Sequence, residues 1–143
     1  MITSVRHTGI VVRDIKKTAN FYRELGFIDD NSASEQGEFI DQVTGLKNTK
    51  LEWVKLQSPD GYVLELLQYH SHPESAEITQ QKSNKLGCSH IAFGVDNIEK
   101  TCEMIEKIGG SIVNPPALTD DRKVKVAYCH DVEGVLMEIV EVM

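Results

Sequence analysis

Hydrophobic and polar positions along this chain follow two periods in turn, and the succession occurs twice. Residues 4–12 (SVRHTGIVV) alternate with period two, so a predicted strand sets His7, Gly9 and Val11 on one face and Thr8, Ile10 and Val12 on the other. From Asp14 to Leu25 the period changes: Ile15, Ala19, Tyr22 and Leu25 recur at helical spacing, with Asp14 placed as the N-cap and Gly26 as the terminator. The second half repeats this. Ile91, Phe93 and Val95 make one strand face and His90, Ala92 and Gly94 the other, followed by a helix over about Asn97–Ile108 that ends at Gly109-Gly110. Short β-like runs complete each half: Phe27-Ile28, Leu51–Leu56 and Tyr62–Tyr69 in the first, Ser111–Asn114, Val124–His130 and Val135–Val142 in the second. Ser58-Pro59-Asp60-Gly61 and Asp131-Val132-Glu133-Gly134 predict the turns before the two last strands.

Each half therefore reads βαβββ, and the chain reads as a single α+β domain of two tandem modules. The first module spans about residues 1–70, a polar linker about 71–87, and the second module about 88–143. Asp29–Lys50 is expected to be the least regular stretch, with a short helix over Glu38–Leu46. Pro115-Pro116 and the residues up to Arg122 are expected to form an exposed loop.

Composition narrows the functional classes. A formal charge of −7 argues against a nucleic-acid surface, which depends on clustered Lys and Arg. No apolar run approaches the roughly 20 residues of a membrane span, and the N-terminus has no apolar signal core. Three cysteines, Cys88, Cys102 and Cys129, are odd in number and form no C-x-x-C pair, so structural disulfides are not expected and a cytoplasmic location is.

The repeat also carries candidate chemistry. Each half opens with a histidine among small strand neighbours, His7 and His90, and closes with a glutamate four residues after a glycine turn, Glu65 and Glu138. Small neighbours leave space around each imidazole. Two histidines and two carboxylates at matching places are what one pseudo-symmetric divalent-metal site needs. The plainer reading is that a strand histidine is hydrogen-bonded structure and a strand glutamate faces solvent; the doubled spacing weighs against it, because an unpaired buried carboxylate is costly. His70 and His72 precede Pro73 and read as exposed loop residues, and His130 as a histidine engaged by turn hydrogen bonds. Cys88 shares the strand face of His90 and reads as a small buried residue. Trp53 and Tyr62 read as strand packing, and Arg122, Lys123 and Lys125 either as a solvated charge run or as a clamp for a substrate anion.

The segments HTGIVVRDIKKTANFYRELGF, DGYVLELLQY, HIAFGVDNIEKTCEMIEKIGG and VEGVLMEIVE together resemble the vicinal oxygen chelate superfamily, which includes glyoxalase I, methylmalonyl-CoA epimerase, extradiol dioxygenases and fosfomycin- or bleomycin-resistance proteins. The resemblance covers nearly the whole chain. It implies curved mixed sheets around a metal-binding cleft, with His7, Glu65, His90 and Glu138 as ligands of a divalent ion: nickel, cobalt, zinc, iron or manganese. It further implies a lyase or isomerase that chelates a carbonyl compound and moves a neighbouring proton through an enediolate. Glu138 is the first choice of base, because family members commonly use the second module's carboxylate, and Glu65 can serve on the opposite face. The His, Glu, His, Glu set is similar to that of bacterial glyoxalase I, yet Val11 stands where those enzymes carry a glutathione-holding arginine. LELLQYHSHPESAEI resembles the epimerases, whereas VEGVLMEI lacks their longer insertion. The competing readings are an acyl-CoA epimerase, a small-molecule binding protein of drug-resistance type, and oxygen chemistry on iron with three of the four residues. The expected partner is a small-molecule substrate, with neither nucleic acid nor membrane. A homodimer is implied by the resemblance and by the sheet edges of each module, and the modules can pair within or between chains.

Overall fold

Each half of the chain folds around the apolar stripe of its first helix. The computed structural model describes residues 1–76 and 79–143 and resolves into two compact units, Met1–Ala76 and Glu77–Met143. Unit 1 runs β1 (Thr8–Val11), α1 (Ile15–Glu24), β2 (Ile28–Gln36), α2 (Glu38–Thr44), β3 (Lys50–Gln57) and β4 (Val63–Tyr69). Unit 2 runs β5 (Ile91–Gly94), α3 (Ile98–Lys107), β6 (Ser111–Ile112), β7 (Ala117–Leu118), β8 (Val124–His130) and β9 (Leu136–Val142). The sheet orders match, β1-β4-β3-β2 and β5-β9-β8-β6, with β7 also pairing β8. In each sheet the first strand lies parallel to the last, and the remaining pairings are antiparallel. The architecture is α+β, with two βαβββ modules forming mixed sheets.

The helices begin the same way in both units. Asp14 accepts from the Lys17 amide at 2.9 Å and Asn97 from the Lys100 amide at 2.9 Å, each satisfying a first-turn donor. A second first-turn donor is satisfied from the last strand: Ile15 N–H donates to Gln68 Oε1 at 2.9 Å and Ile98 N–H to Glu141 Oε2 at 2.8 Å. Both helices stop at a glycine in the left-handed region, Gly26 (φ 100°) and Gly109 (φ 97°), where a side chain would be strained. The helices bury one stripe against their sheets. In unit 1, Ile15, Ala19, Phe21 and Tyr22 are buried, as are Ile10, Leu56, Leu64 and Leu66 of the strands. Tyr22 meets Phe21 and Phe27 edge to face, with ring centroids 5.3 and 5.6 Å apart. In unit 2, Ile98, Cys102 and Ile105 are buried, together with Ala127, Cys129, Met137 and Ile139 of the strands.

Two segments expected to be irregular contain strand. β2 extends to Gln36 and pairs with β3 from Ile28↔Gln57 to Gln36↔Lys50, with a register irregularity between Asp29 and Asn31. Its sequence, IDDNSASEQ, is polar because it is an edge strand whose side chains are mostly exposed. In the expected exposed loop, β7 pairs Ala117↔Val126 and Leu118↔Lys125. β6 and β7 act as one edge strand broken at Asn114-Pro115-Pro116, since proline cannot donate to a ladder.

The expected linker is more anchored than its polarity suggests, although Glu77 and Ile78 within it lie outside the described residues. His70 N–H donates to Lys50 O, and Ser71 Oγ accepts from the Lys50 amide, prolonging the β3–β4 pairing. Gln81 N–H donates to Gly134 O, Gln81 Oε1 accepts from the Leu136 amide, and Gln81 Nε2 donates to Cys88 O, all within unit 2. No helix among the described residues is long and apolar enough to cross a membrane.

Loss of the Asp14 cap through Asp14→Ala is expected to cost about 1 kcal/mol, read as a lower denaturation midpoint at unchanged slope. A second prediction concerns Asp41, whose carboxylate accepts from the Thr49 and Asn48 amides at 2.8 Å each and is thereby held below its ordinary range. The folded chain binds this proton less readily than the unfolded chain, so the contribution is complete above the ordinary carboxylate range and fades as pH falls through the depressed value. Denaturation midpoints measured from pH 7 to pH 2 should therefore fall less steeply in Asp41→Asn than in the wild type.

Candidate metal and proton-transfer site

In both units strand parity separates core from chemistry. Ile10, Leu64, Leu66 and Leu56 point to α1, so Gly9 and Val11 of β1, Glu65 and Leu67 of β4, and Trp53 and Lys55 of β3 share the other face, and His7, one residue before β1, joins them. There His7 Nε2 lies 3.0 Å from Glu65 Oε2. Gly9 is the register partner of Glu65, and a Cβ at Gly9 would stand 3.1 Å from Leu67 Cδ1 and 3.9 Å from Glu65 Oε2. The glycine thus spares Leu67 a tight contact and leaves the space beside Glu65 open. Glu65 is anchored from its other side, with Lys55 Nζ 3.4 Å from Oε1 and 4.7 Å from the Trp53 ring centre.

Unit 2 repeats the pair. His90 Nε2 lies 2.8 Å from Glu138 Oε2, and Ala92 is the register partner of Glu138. The residue opposite Glu138 on β8 is Tyr128, whose ring meets the His90 ring edge to face at 5.1 Å. His90 Nδ1 lies 3.1 Å from Ser89 Oγ.

The structure therefore brings His7 to Glu65 and His90 to Glu138. Among the described residues, no group of three or more His, Cys, Asp or Glu side chains is disposed to hold a metal. The donor types of each pair fit half of a divalent-ion ligand set: an imidazole Nε2 and a carboxylate oxygen face one another across a hydrogen-bond distance, and in unit 1 Lys55 holds the carboxylate through its other oxygen. Each carboxylate presents one oxygen to its histidine.

Other candidate residues fall elsewhere. His70 and His72 are exposed, with His70 Nε2 2.8 Å from Glu52 Oε2 and His72 Nδ1 2.7 Å from Ser71 Oγ. His130 is buried and held by Gln81 O at 2.8 Å, so its role is to tie the preceding segment to unit 2. Lys125 does not join Arg122 and Lys123 in a clamp. Its ammonium lies 2.6 Å from Glu99 Oε1, on the helix side of the sheet, and this pairing raises its pKa. Lys123 Nζ is 3.9 Å from Asp121 Oδ2, and Arg122 sits at a positive φ of 56° in the loop. Tyr62 lies in the turn before β4, whereas Trp53 is on the site face with its Nε1–H 3.4 Å from Glu35 Oε1. Val11 is exposed beside Gly9 and offers no charge to an anion.

Lys55 and Tyr128 are neighbours of the candidate pairs that the sequence reading missed. Both lie ten residues before their glutamate across a hairpin of the same length, so the turn register alone places them opposite Glu65 and Glu138. Cys88 corrects an expectation: it is exposed and precedes β5, which begins only at Ile91, so no strand pairing turns its side chain to a core face.

The whole-chain comparison agrees with the fold. The family model for the glyoxalase/bleomycin resistance protein/dioxygenase superfamily matches residues 4–139, and the chain belongs to that superfamily. A probable lactoylglutathione lyase of Vibrio cholerae is 30% identical over 117 residues, covering 73% of this chain and 78% of that protein. The crystal structure of a glyoxalase family protein from Bacillus cereus superposes with a TM-score of 0.91 at 25% identity, covering 100% of this chain and 96% of that one. A fosfomycin resistance protein from Listeria monocytogenes, solved with Mn(II) and sulfate, shares the fold with a TM-score of 0.65 at 16% identity, covering 100% of this chain and 95% of that one.

All three thiols are free. Burial pushes the Cys129 thiol up to about 12 and raises that of Cys102, whereas Cys88 is exposed. A thiol-disulfide reagent at pH 8 is expected to titrate one thiol per folded chain and three in denaturant; rapid reaction of all three in the folded protein would contradict this arrangement.

Proposed function

We propose that the chain is a metal-dependent enzyme of glyoxalase type, a lyase or isomerase that moves a proton next to a carbonyl of a small-molecule substrate. The observation carrying this reading is the duplicated pair: in both units a histidine Nε2 faces a glutamate Oε2 across 3.0 or 2.8 Å, on the sheet face opposite the helix. The ligand set proposed is His7, Glu65, His90 and Glu138, completed either within one chain or between two chains of a homodimer. A divalent cation bound by them supplies Lewis acidity, which polarises a substrate carbonyl and acidifies the adjacent C–H.

The residues themselves account for the proton. Glu65 is tethered through Oε1 by Lys55 and suits a standing ligand. For Glu138, among the described residues, the ion-pair partner is His90. Its carboxylate is the better placed to release its contact, take the proton as general base and return it to another atom. Lactoylglutathione lyase activity is the first candidate, from the similarity to the Vibrio cholerae protein. An acyl-CoA epimerase shares the same proton chemistry. A metal-free small-molecule binder is favoured by one observation, that each imidazole already has a carboxylate partner without a metal.

Protein purified without chelator and then reconstituted is expected to hold a divalent ion that His7→Ala loses, with at least a tenfold weaker affinity, in line with about 1.4 kcal/mol or more for a lost ligand. Glu138→Gln is expected to reduce turnover by a factor on the order of 100 or more, the usual worth of a general base. Solvent deuterium uptake by the methylglyoxal–glutathione adduct or by methylmalonyl-CoA identifies the substrate class. No bound ion in the wild type above the level in the variants would leave the binding-protein reading in its place.

A further inference from the structure

Tyr128 lies beside the candidate base of unit 2. It is the β8 residue opposite Glu138. Alternation puts it on the sheet face that carries the pair, because Ala127 and Cys129 on either side of it are buried, as are Met137 and Ile139 around Glu138. The residue is half-buried, and its ring meets the His90 ring edge to face at 5.1 Å, so packing sets the position of the hydroxyl. Among the described residues that hydroxyl has no hydrogen-bond partner, and no buried side-chain oxygen lacks one, so it opens to solvent. The corresponding position of unit 1 holds Lys55, whose ammonium is engaged by Glu65 and Trp53. Each unit therefore sets a proton donor across from its glutamate, and only in unit 2 is the donor uncommitted.

Removal of a proton next to a carbonyl drives charge onto the carbonyl oxygen, and a fixed donor aimed there stabilises the transition state more than the ground state. The geometry points to Tyr128 as that donor, a catalytic residue whose O–H hydrogen-bonds the substrate oxygen while Glu138 takes the proton from the adjacent carbon. The C–H electron pair becomes the C=C bond and the carbonyl π pair settles on the oxygen. Return of the proton to carbon reverses that flow and leaves the phenol unchanged. A phenol suits the task because it is a neutral donor, which the base does not draw into an ion pair as Glu65 draws Lys55. The inference rests on the reading of Glu138 as base. It orients the substrate across two strands, with its reacting C–H toward Glu138 on β9 and its carbonyl oxygen toward Tyr128 on β8.

Tyr128→Phe removes the hydroxyl and keeps the ring against His90. The first arm follows solvent deuterium uptake by the methylglyoxal–glutathione adduct or methylmalonyl-CoA, whichever the reconstituted wild type turns over. Tyr128→Phe is expected to lower kcat by a factor on the order of 100, the usual worth of one oxyanion donor, with KM changed less than about threefold. An unchanged kcat, or a loss confined to KM, overturns the inference. The second arm needs no turnover. Isotope-labelled hydroxyacetone is added to chelator-treated protein, and infrared difference spectroscopy reads the carbonyl stretch of the bound probe. The stretch is expected at lower frequency in the wild type than in Tyr128→Phe, because donation to the oxygen weakens the C=O bond. Equal frequencies, or no bound band in the wild type, overturn the role of Tyr128. If the wild type turns over neither compound, the reading of the function falls, and the infrared arm decides Tyr128 by itself.

Discussion

The parallel pairing of the first strand of each unit with its last is the constraint on which the rest depends. It makes Gly9 the partner of Glu65 and Ala92 the partner of Glu138, and it sets the histidine two residues earlier on the same face as the glutamate. Parallel strands cannot be joined by a tight hairpin, so the helix and intervening strands of each unit serve as the crossover. The core then fixes parity: with Leu64, Leu66 and Ile10 buried, Glu65 and His7 have only the other face to occupy. The small partner residue is part of the same constraint, since a side chain at position 9 would press on Leu67 and stand beside the Glu65 carboxylate.

The last strand serves both of its faces. One face carries the glutamate of the candidate site. The other carries Gln68 or Glu141, which accepts the first helical amide and so locks helix to strand. Helix placement and site geometry are thereby coupled through a single strand in each unit. The units differ where β3 and β8 face that strand, with Lys55 against Glu65 and Tyr128 against Glu138. Equivalent backbones have taken up unequal electrostatics, a tethered carboxylate in one and a freer one in the other.

Much of this was legible in the chain. The helices fall where Asp14, Asn97, Gly26 and Gly109 mark their ends, because caps and terminators act locally. The histidine and glutamate of each pair were found because period-two parity and a repeated turn survive in the sequence. β2 and β7 were not legible, since edge strands carry polar residues or prolines and draw their order from pairing with a central strand. Cys88 was misplaced because exposure depends on where pairing begins, and His130 and Gln81 met through a contact 49 residues apart.

By itself the sequence determined the duplicated βαβββ pattern, the helix limits and the faces on which His7, Glu65, His90 and Glu138 lie, because propensity, capping and alternation are properties of neighbouring residues. Only tertiary structure decided what each of these side chains touches. The approach of His7 to Glu65 and of His90 to Glu138, the tethering of Glu65 by Lys55 and the diversion of Lys125 to Glu99 all follow from register between strands and from packing of helix on sheet. Those contacts join residues far apart in the chain, and their distances are set by the folded core.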